Sequence, residues 1–243
     1  MVATGNAQGE TRVDRRKGRA KRSGWRTLGE YTMVIVVALV LSALIRAFIM
    51  QAFWIPSSSM EDTLQVGDNV VTSRLTPAVF DLERGDVIVF SDTQGWLPPA
   101  QKKQGAAKYI NDALVFVGLR PAGGTQHLVK RLIGLPGDRV KCCNARGQLE
   151  VNGKSVAEPY LAPGADNRLL PFDVTVPDNH LWVMGDNRNY SADSRVHLQD
   201  GKMPFVNVND VVGRAKFVAW PVSHWSDPNH NEVFTGVPNA KRK

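Results

Sequence analysis

The sequence predicts a mostly β domain of antiparallel sheets, carried behind one N-terminal membrane-spanning helix. Three observations predict it. A long apolar stretch follows a basic segment near the N-terminus. Beyond it, short runs rich in Val, Ile and Phe alternate with Gly, Pro and Asn turns. Helical periodicity is scarce among those runs, and many short strands with such turns fit antiparallel sheets.

The elements come in order along 243 residues. Residues 1–29 are polar, basic and Gly-rich, and read as a disordered tail. Arg12, Arg15, Arg16, Lys17, Arg19, Lys21, Arg22 and Arg26 oppose only Glu10, Asp14 and Glu30, which accounts for most of the net charge of +7. A basic tail binds nucleic acid or acidic lipid, or sets membrane orientation. The apolar stretch behind the tail favours orientation, so membrane lipid is expected as a partner and nucleic acid is not. Tyr31 to Ile55 reads YTMVIVVALVLSALIRAFIMQAFWI, interrupted strongly only by Arg46 and Gln51. About 20 apolar residues span a bilayer, so residues 30–50 are read as the anchor, with Arg46 snorkelling near one end. A buried core helix does not fit a run that is apolar on every side from Met33 to Leu41. A cleaved secretory signal also has a basic start and an apolar run, but no clean small-x-small site comes after this one. The basic side then stays cytoplasmic, and residues 51–243 form an extracytoplasmic domain on a single-pass protein of the cell membrane.

Within that domain, strands are expected at Asp86–Phe90, His127–Ile133, His180–Met184, Val211-Val212 and Arg214–Trp220. Leu149–Val151 and Lys154–Val156 flank Asn152-Gly153, a strong hairpin signal. Residues 91–126 read as an insertion between two strands. It holds an apolar run from Ala113 to Leu119, flanked by Lys108 and Arg120 and too short to span a bilayer. That run either dips into the membrane interface or packs on the domain core, and the two readings stand even. Cys142 and Cys143 are adjacent and fit no zinc spacing. A bridge between neighbours, two free thiols, or contact with another chain all remain open.

The familiar hydrolytic signatures are missing. There is no G-x-S-x-G elbow, no H-E-x-x-H and no nucleotide-binding glycine loop; neither a metal nor a cofactor is expected. The five histidines are scattered and read as structural or exposed. What remains is Ile55-Pro-Ser-Ser-Ser-Met-Glu-Asp-Thr-Leu64, directly behind the anchor. Three consecutive serines are on composition a solvated loop, but Pro56 stiffens the approach, and Met60 and Leu64 offer apolar anchors. In a strand over Leu128–Ile133, Lys130 shares a face with Leu128 and Leu132, and Arg131 takes the other face with Val129 and Ile133. A buried lysine loses its charge more easily and accepts a hydroxyl proton; an edge lysine that snorkels is the alternative. The third cluster, Met184 to Arg195, is a tight polar loop dense in hydroxyl, carboxylate and guanidinium groups. It is either a turn or a support that orients a catalytic group.

Together these blocks resemble type I signal peptidases, membrane proteases that remove signal peptides from exported preproteins. Pro56-Ser-Ser-Ser-Met60 with Thr63-Leu64 looks like the nucleophile motif. Arg84-Gly-Asp-Val-Ile-Val-Phe90 resembles the next block, and Lys130-Arg-Leu-Ile-Gly-Leu-Pro-Gly-Asp138 the block carrying the catalytic lysine. Gly185-Asp-Asn-Arg188, Ser191-Ala-Asp-Ser-Arg195 and Gly213-Arg-Ala215 come next, in family order. The resemblance implies a mostly β catalytic domain of signal-peptidase type with a Ser–Lys dyad. Ser59 is then the nucleophile and Lys130 the general base. The Ser59 N–H and the Ser57 hydroxyl form the oxyanion hole, Ser191 orients Lys130, and Asp193 with Arg195 holds that loop. The sequence departs from the pattern at Ser58, where Gly is usual, at Asn189-Tyr190, where Asp-Asn is common, and at Glu61-Asp62, where a Pro often precedes the Thr.

Chain length supports the substrate class. Ser59 stands about nine residues beyond the span, so the chain carries it at most about 30 Å from the anchor's end. Signal peptides present their small-x-small sites just past an apolar segment, at that level. Three rivals remain in view. A non-catalytic anchored binding protein requires Ser59 and Lys130 to lie apart. A self-cleaving repressor requires a DNA-binding domain that residues 1–29 do not show. Nucleic-acid binding by the tail alone would fade at moderate salt.

Overall fold

The computed structural model describes residues 14–98 and 127–240 and divides into two compact units, residues 1–44 and 45–243. The first unit is helical. Helix α1 runs Asp14–Phe48. Within it Thr27–Ile45, at mean hydropathy 2.2 and with no residue buried, is long and apolar enough to cross a membrane. The helix begins well before that run, which corrects the reading of residues 14–29 as disordered. Arg, Lys and Ala are good helix formers, and a helix nucleated in the apolar run extends backwards at little further cost. Low hydrophobicity argues against a packed core, and α1 needs none.

The second unit opens at strand β1 (Met50–Trp54), one residue after α1 ends. The apolar tail of the span is therefore a strand. β1 pairs antiparallel with β2 (Asn69–Ser73), which carries the short helix α2 (Leu75–Ala78) after it. β3 (Val87–Ser91) and β4 (His127–Gly134) pair antiparallel with Ser91 opposite His127, so the intervening segment joins neighbouring strands. The apolar run at 113–119 lies outside the described residues. Its described root is firmly held: the Asp92 carboxylate accepts from the Trp96 and Leu97 amides, and Trp96 packs edge-on against Phe90.

β5 (Arg139–Cys142), β6 (Leu149–Val151), β7 (Lys154–Val156) and β8 (Phe172–Thr175) form a small sheet in the order β7-β6-β5-β8. The Asn152-Gly153 turn has positive φ at both positions, 52° and 81°, as a tight hairpin turn demands. Cys142 and Cys143 close on each other as a disulfide, the first of the three open alternatives. β9 (His180–Met184), helix α3 (Ser194–Gln199), β10 (Val206–Asn207) and β11 (Val211–Trp220) complete the fold. The larger sheet is ordered β1-β2-β11-β3-β4-β9-β10, antiparallel throughout. Three apolar clusters hold the unit. One, around Val140, Leu149, Phe172 and Trp182, sits on the small sheet. A second gathers Ile88, Phe90, Leu132 and Val183, and a third Ile55, Met60, Leu64, Val70 and Val218. β11, the last strand in the chain, stands between β2 and β3.

Candidate active site

The loop after β1 is anchored at both ends by burial. Ile55 is 2 % exposed, Met60 1 % and Leu64 fully covered. Between them Ser58–Met60 makes one 3₁₀ turn, with Ser57 extended at its start. The Ser57 side chain does not cap that turn, so its hydroxyl stays available. Ser57 Oγ lies 3.4 Å from Ser59 Oγ.

β4 brings Lys130 to the same place. Opposite Ile88 in the sheet, Lys130 is 2 % exposed, and its Nζ lies 2.5 Å from Ser59 Oγ. Burial lowers its pKa from 10.5 to about 8. The Asp193 and Asp186 carboxylates oppose that fall, and Arg195 adds to it. The amine is thus neutral in a sizeable fraction of molecules near pH 8. The edge-lysine alternative is removed by these contacts.

β9 ends at Met184, opposite Arg131, so the next loop emerges beside Lys130. Gly185 is there because nothing larger fits. A Cβ would collide with the Ser59 carbonyl and the Ser191 side chain. Asp193 caps α3 through the Arg195 amide, takes two hydrogen bonds from the Arg195 guanidinium and one from the Gly185 amide. Burial alone would raise the Asp193 pKa, but Arg195, together with Gly185 and Ser191, outweighs it and the pKa is lowered. Ser191 is buried, and among the described residues no hydrogen bond joins it to Lys130. The charge it faces is Asp193, whose pKa it helps to lower. The expected contact from Ser191 to the lysine is therefore replaced by proximity to the carboxylate that Lys130 feels.

Sequence reasoning assigned no role to the groups that tie these pieces together. Arg131, on the opposite face of β4, is fully buried and forks onto Asp186 at 2.8 and 2.6 Å. It also reaches the Gly85 and Pro228 carbonyls, and it stacks 3.9 Å above the Tyr160 ring. Thr63 Oγ1 donates to Asp186 at 2.5 Å, joining the serine loop to the same carboxylate. Asn187 clamps the turn itself, its amide donating to the Ser59 carbonyl and its side chain to the Ser58 carbonyl. Arg188 pairs with buried Glu158, which also accepts from Tyr160 and Asn167. A signal existed for Arg131: alternation put it on a buried face, and a buried guanidinium needs a carboxylate. Glu158 and Tyr160 lie between strands, where alternation says nothing.

Among the described residues no histidine is hydrogen-bonded to Ser59 or Lys130, although His230 stacks on Tyr160. His197 stacks on Trp96, His127 lies against Phe53, and His224 and His230 pair with Asp68 and Glu232. Among the described residues no group of three or more His, Cys, Asp or Glu side chains is placed to hold a metal ion. An open cleft of about 1470 Å³ lined by Leu82, Leu135, Pro177 and Leu181 contains none of the candidate residues.

The family model "Signal peptidase, peptidase S26" matches residues 28–220. Over 228 residues the chain is 38% identical to signal peptidase I of Mycobacterium tuberculosis, covering 85% of this chain and 76% of that one. It is 33% identical over 209 residues to signal peptidase I S of Bacillus subtilis, covering 82% and 93%. A crystal structure of a signal peptidase I from Enterococcus faecalis V583 aligns with 55% of this chain and 96% of its own, at 28% identity and a TM-score of 0.35. With a family model matching most of its length and relatives above 30% identity over most of the chain, this protein belongs to the signal peptidase family, peptidase S26, and is a hydrolase.

Proposed function

We propose that this chain is a membrane-bound serine endopeptidase that removes signal peptides from secretory preproteins by cutting after a small-x-small site. The observation that carries the proposal is the 2.5 Å approach of buried Lys130 to Ser59. The neutral amine accepts the Ser59 proton as Oγ attacks the carbonyl carbon. The oxygen that becomes negative is met by the Ser59 N–H and the Ser57 hydroxyl. Lys130, now an ammonium, gives its proton to the leaving amine. Water then repeats the sequence on the acyl ester and frees the serine. Asp193, held by Arg195, stabilises the ammonium without itself taking the proton. No step requires a cofactor.

Membrane attachment rests on α1 and its apolar segment Thr27–Ile45. The basic residues before it support an N-terminus on the cytoplasmic side of the cell membrane, with the second unit outside. In that unit Trp54 and Trp220 flank Asn69 in adjoining strands, 46 % and 62 % exposed. Amphipathic rings of this kind settle at lipid headgroups. The decisive assay incubates the detergent-solubilised chain with a preprotein bearing an A-x-A site and sequences the new N-terminus. A new N-terminus directly after that site supports the reading, and intact preprotein or a cut elsewhere overturns it.

A further inference from the structure

Tyr190 stands out in the loop beside the dyad. Asn187, Arg188 and Ser191 are covered, at 7 %, 2 % and 5 % exposed, whereas Tyr190 is 76 % exposed, beside the exposed polar Asn189. Its backbone is fixed on both sides. The Tyr190 amide donates to the Asn187 carbonyl. Asn189 is stapled to a second loop, donating to the Gly164 carbonyl and accepting from the Asp166 amide. Ser191 is wedged beside Gly185. The backbone is thus fixed and its large amphipathic ring stands in solvent, one residue from a buried frame that grips the nucleophile turn. Neither the packing nor the network explains its exposure. An aromatic at the rim of a site is a recognition element.

The geometry says which part of a substrate it meets. In a helical turn the N–H groups point to its start and the carbonyls to its end. The oxyanion donors, Ser57 and the Ser59 N–H, therefore lie at the start of the turn Ser58–Met60. The Ser58 and Ser59 carbonyls, at its other end, are held by Asn187. The loop 185–191 also leaves β9 beside Lys130, which protonates the leaving amine. The acyl half of a substrate thus sits towards Ser57, and the leaving half passes the loop that carries Tyr190.

We propose that Tyr190 is a specificity-determining contact for the first residues after the scissile bond, favouring an apolar or aromatic side chain there. The inference rests on the Ser59–Lys130 reading. It is tested with detergent-solubilised full-length protein and a peptide series sharing one A-x-A site, the residue after the cut being Gly, Glu, Leu or Phe. The wild type should cleave the Phe and Leu peptides roughly fivefold to tenfold better in kcat/KM than the Gly peptide, the scale of one aromatic contact. In Tyr190→Ala that ratio should fall close to one, and Tyr190→Phe should keep it. Melting curves show whether each variant is folded. An unchanged ratio in folded Tyr190→Ala, or equal losses on all four peptides, would overturn the assignment while leaving the dyad untouched. Cleavage surviving in Ser59→Ala would instead overturn the dyad, and this contact with it.

Discussion

At the scale of single residues, Lys130 carries the strongest consequences. Its folded pKa of about 8 lies below the ordinary 10.5, so the unfolded state binds the proton more readily. Burying the neutral amine costs stability of roughly 3 kcal/mol below pH 8, and that cost fades between pH 8 and 10.5. Lys130→Met, similar in size and uncharged, should therefore be inactive yet more stable at pH 7, with the gain shrinking by pH 10. Melts in detergent at the two pH values check it; an equal gain at both would contradict the buried-amine account. Cleavage by the wild type should rise about tenfold per pH unit below pH 8 and level off above it. A kcat/KM profile flat from pH 6 to 9 in folded protein would count against Lys130 as base. Lys130→Arg should fail as Lys130→Ala does, since guanidinium keeps its proton. Gly185→Ala is a different kind of lesion. The added methyl meets the Ser59 carbonyl, so the nucleophile turn must shift, and displacements of about 1 Å cost on the order of 100-fold in rate. A folded Gly185→Ala with near-normal kcat would show that the turn tolerates the movement.

At the scale of elements, the site is a joint between three loops, and its rivets are charged. Asp186 receives Arg131 and Thr63, so Asp186→Ala strands a fully buried guanidinium. Loss of about 3–5 kcal/mol is expected, read as a lowered melting temperature, and a loss under about 1 kcal/mol would mean Arg131 finds other partners. The same physics decides how much of the joint is legible in the sequence. The β6–β7 hairpin is legible because Asn-Gly accepts positive φ. Lys130 is legible because alternation on β4 puts it between two leucines. β1 is not, since apolar residues continue from the span to Ile55 with only Arg46 and Gln51 between them, and hydropathy does not record where helix becomes strand. β5 and β8 escape notice because Arg139 and Lys141, Asp173 and Thr175 alternate with only two apolar residues each. The Arg131–Asp186 fork, between residues 55 apart, is a tertiary fact that no local pattern carries. The second half of the tail is helical where its composition suggests disorder. Composition measures the capacity to build a core, and a helix continuing from an apolar run needs no core.

At the scale of the whole molecule, the proposed topology makes a plain demand. In sealed spheroplasts an external protease should digest the chain beyond residue 56 and spare residues 1–29; the reverse pattern would remove the substrate class along with the orientation. The sheet order adds a consequence of another sort, in time. Chains are made from the N-terminus, and β11 is made last of the strands, yet it stands between β2 and β3. Before Trp220 is synthesised, the strands on either side of the serine loop have no edge by which to join those that carry the lysine. Pairings so distant in sequence also close slowly. On the proposed reading, serine and lysine are brought together only when a strand made more than 150 residues after the serine takes its place between theirs. The fold itself sets the moment at which the protease is born.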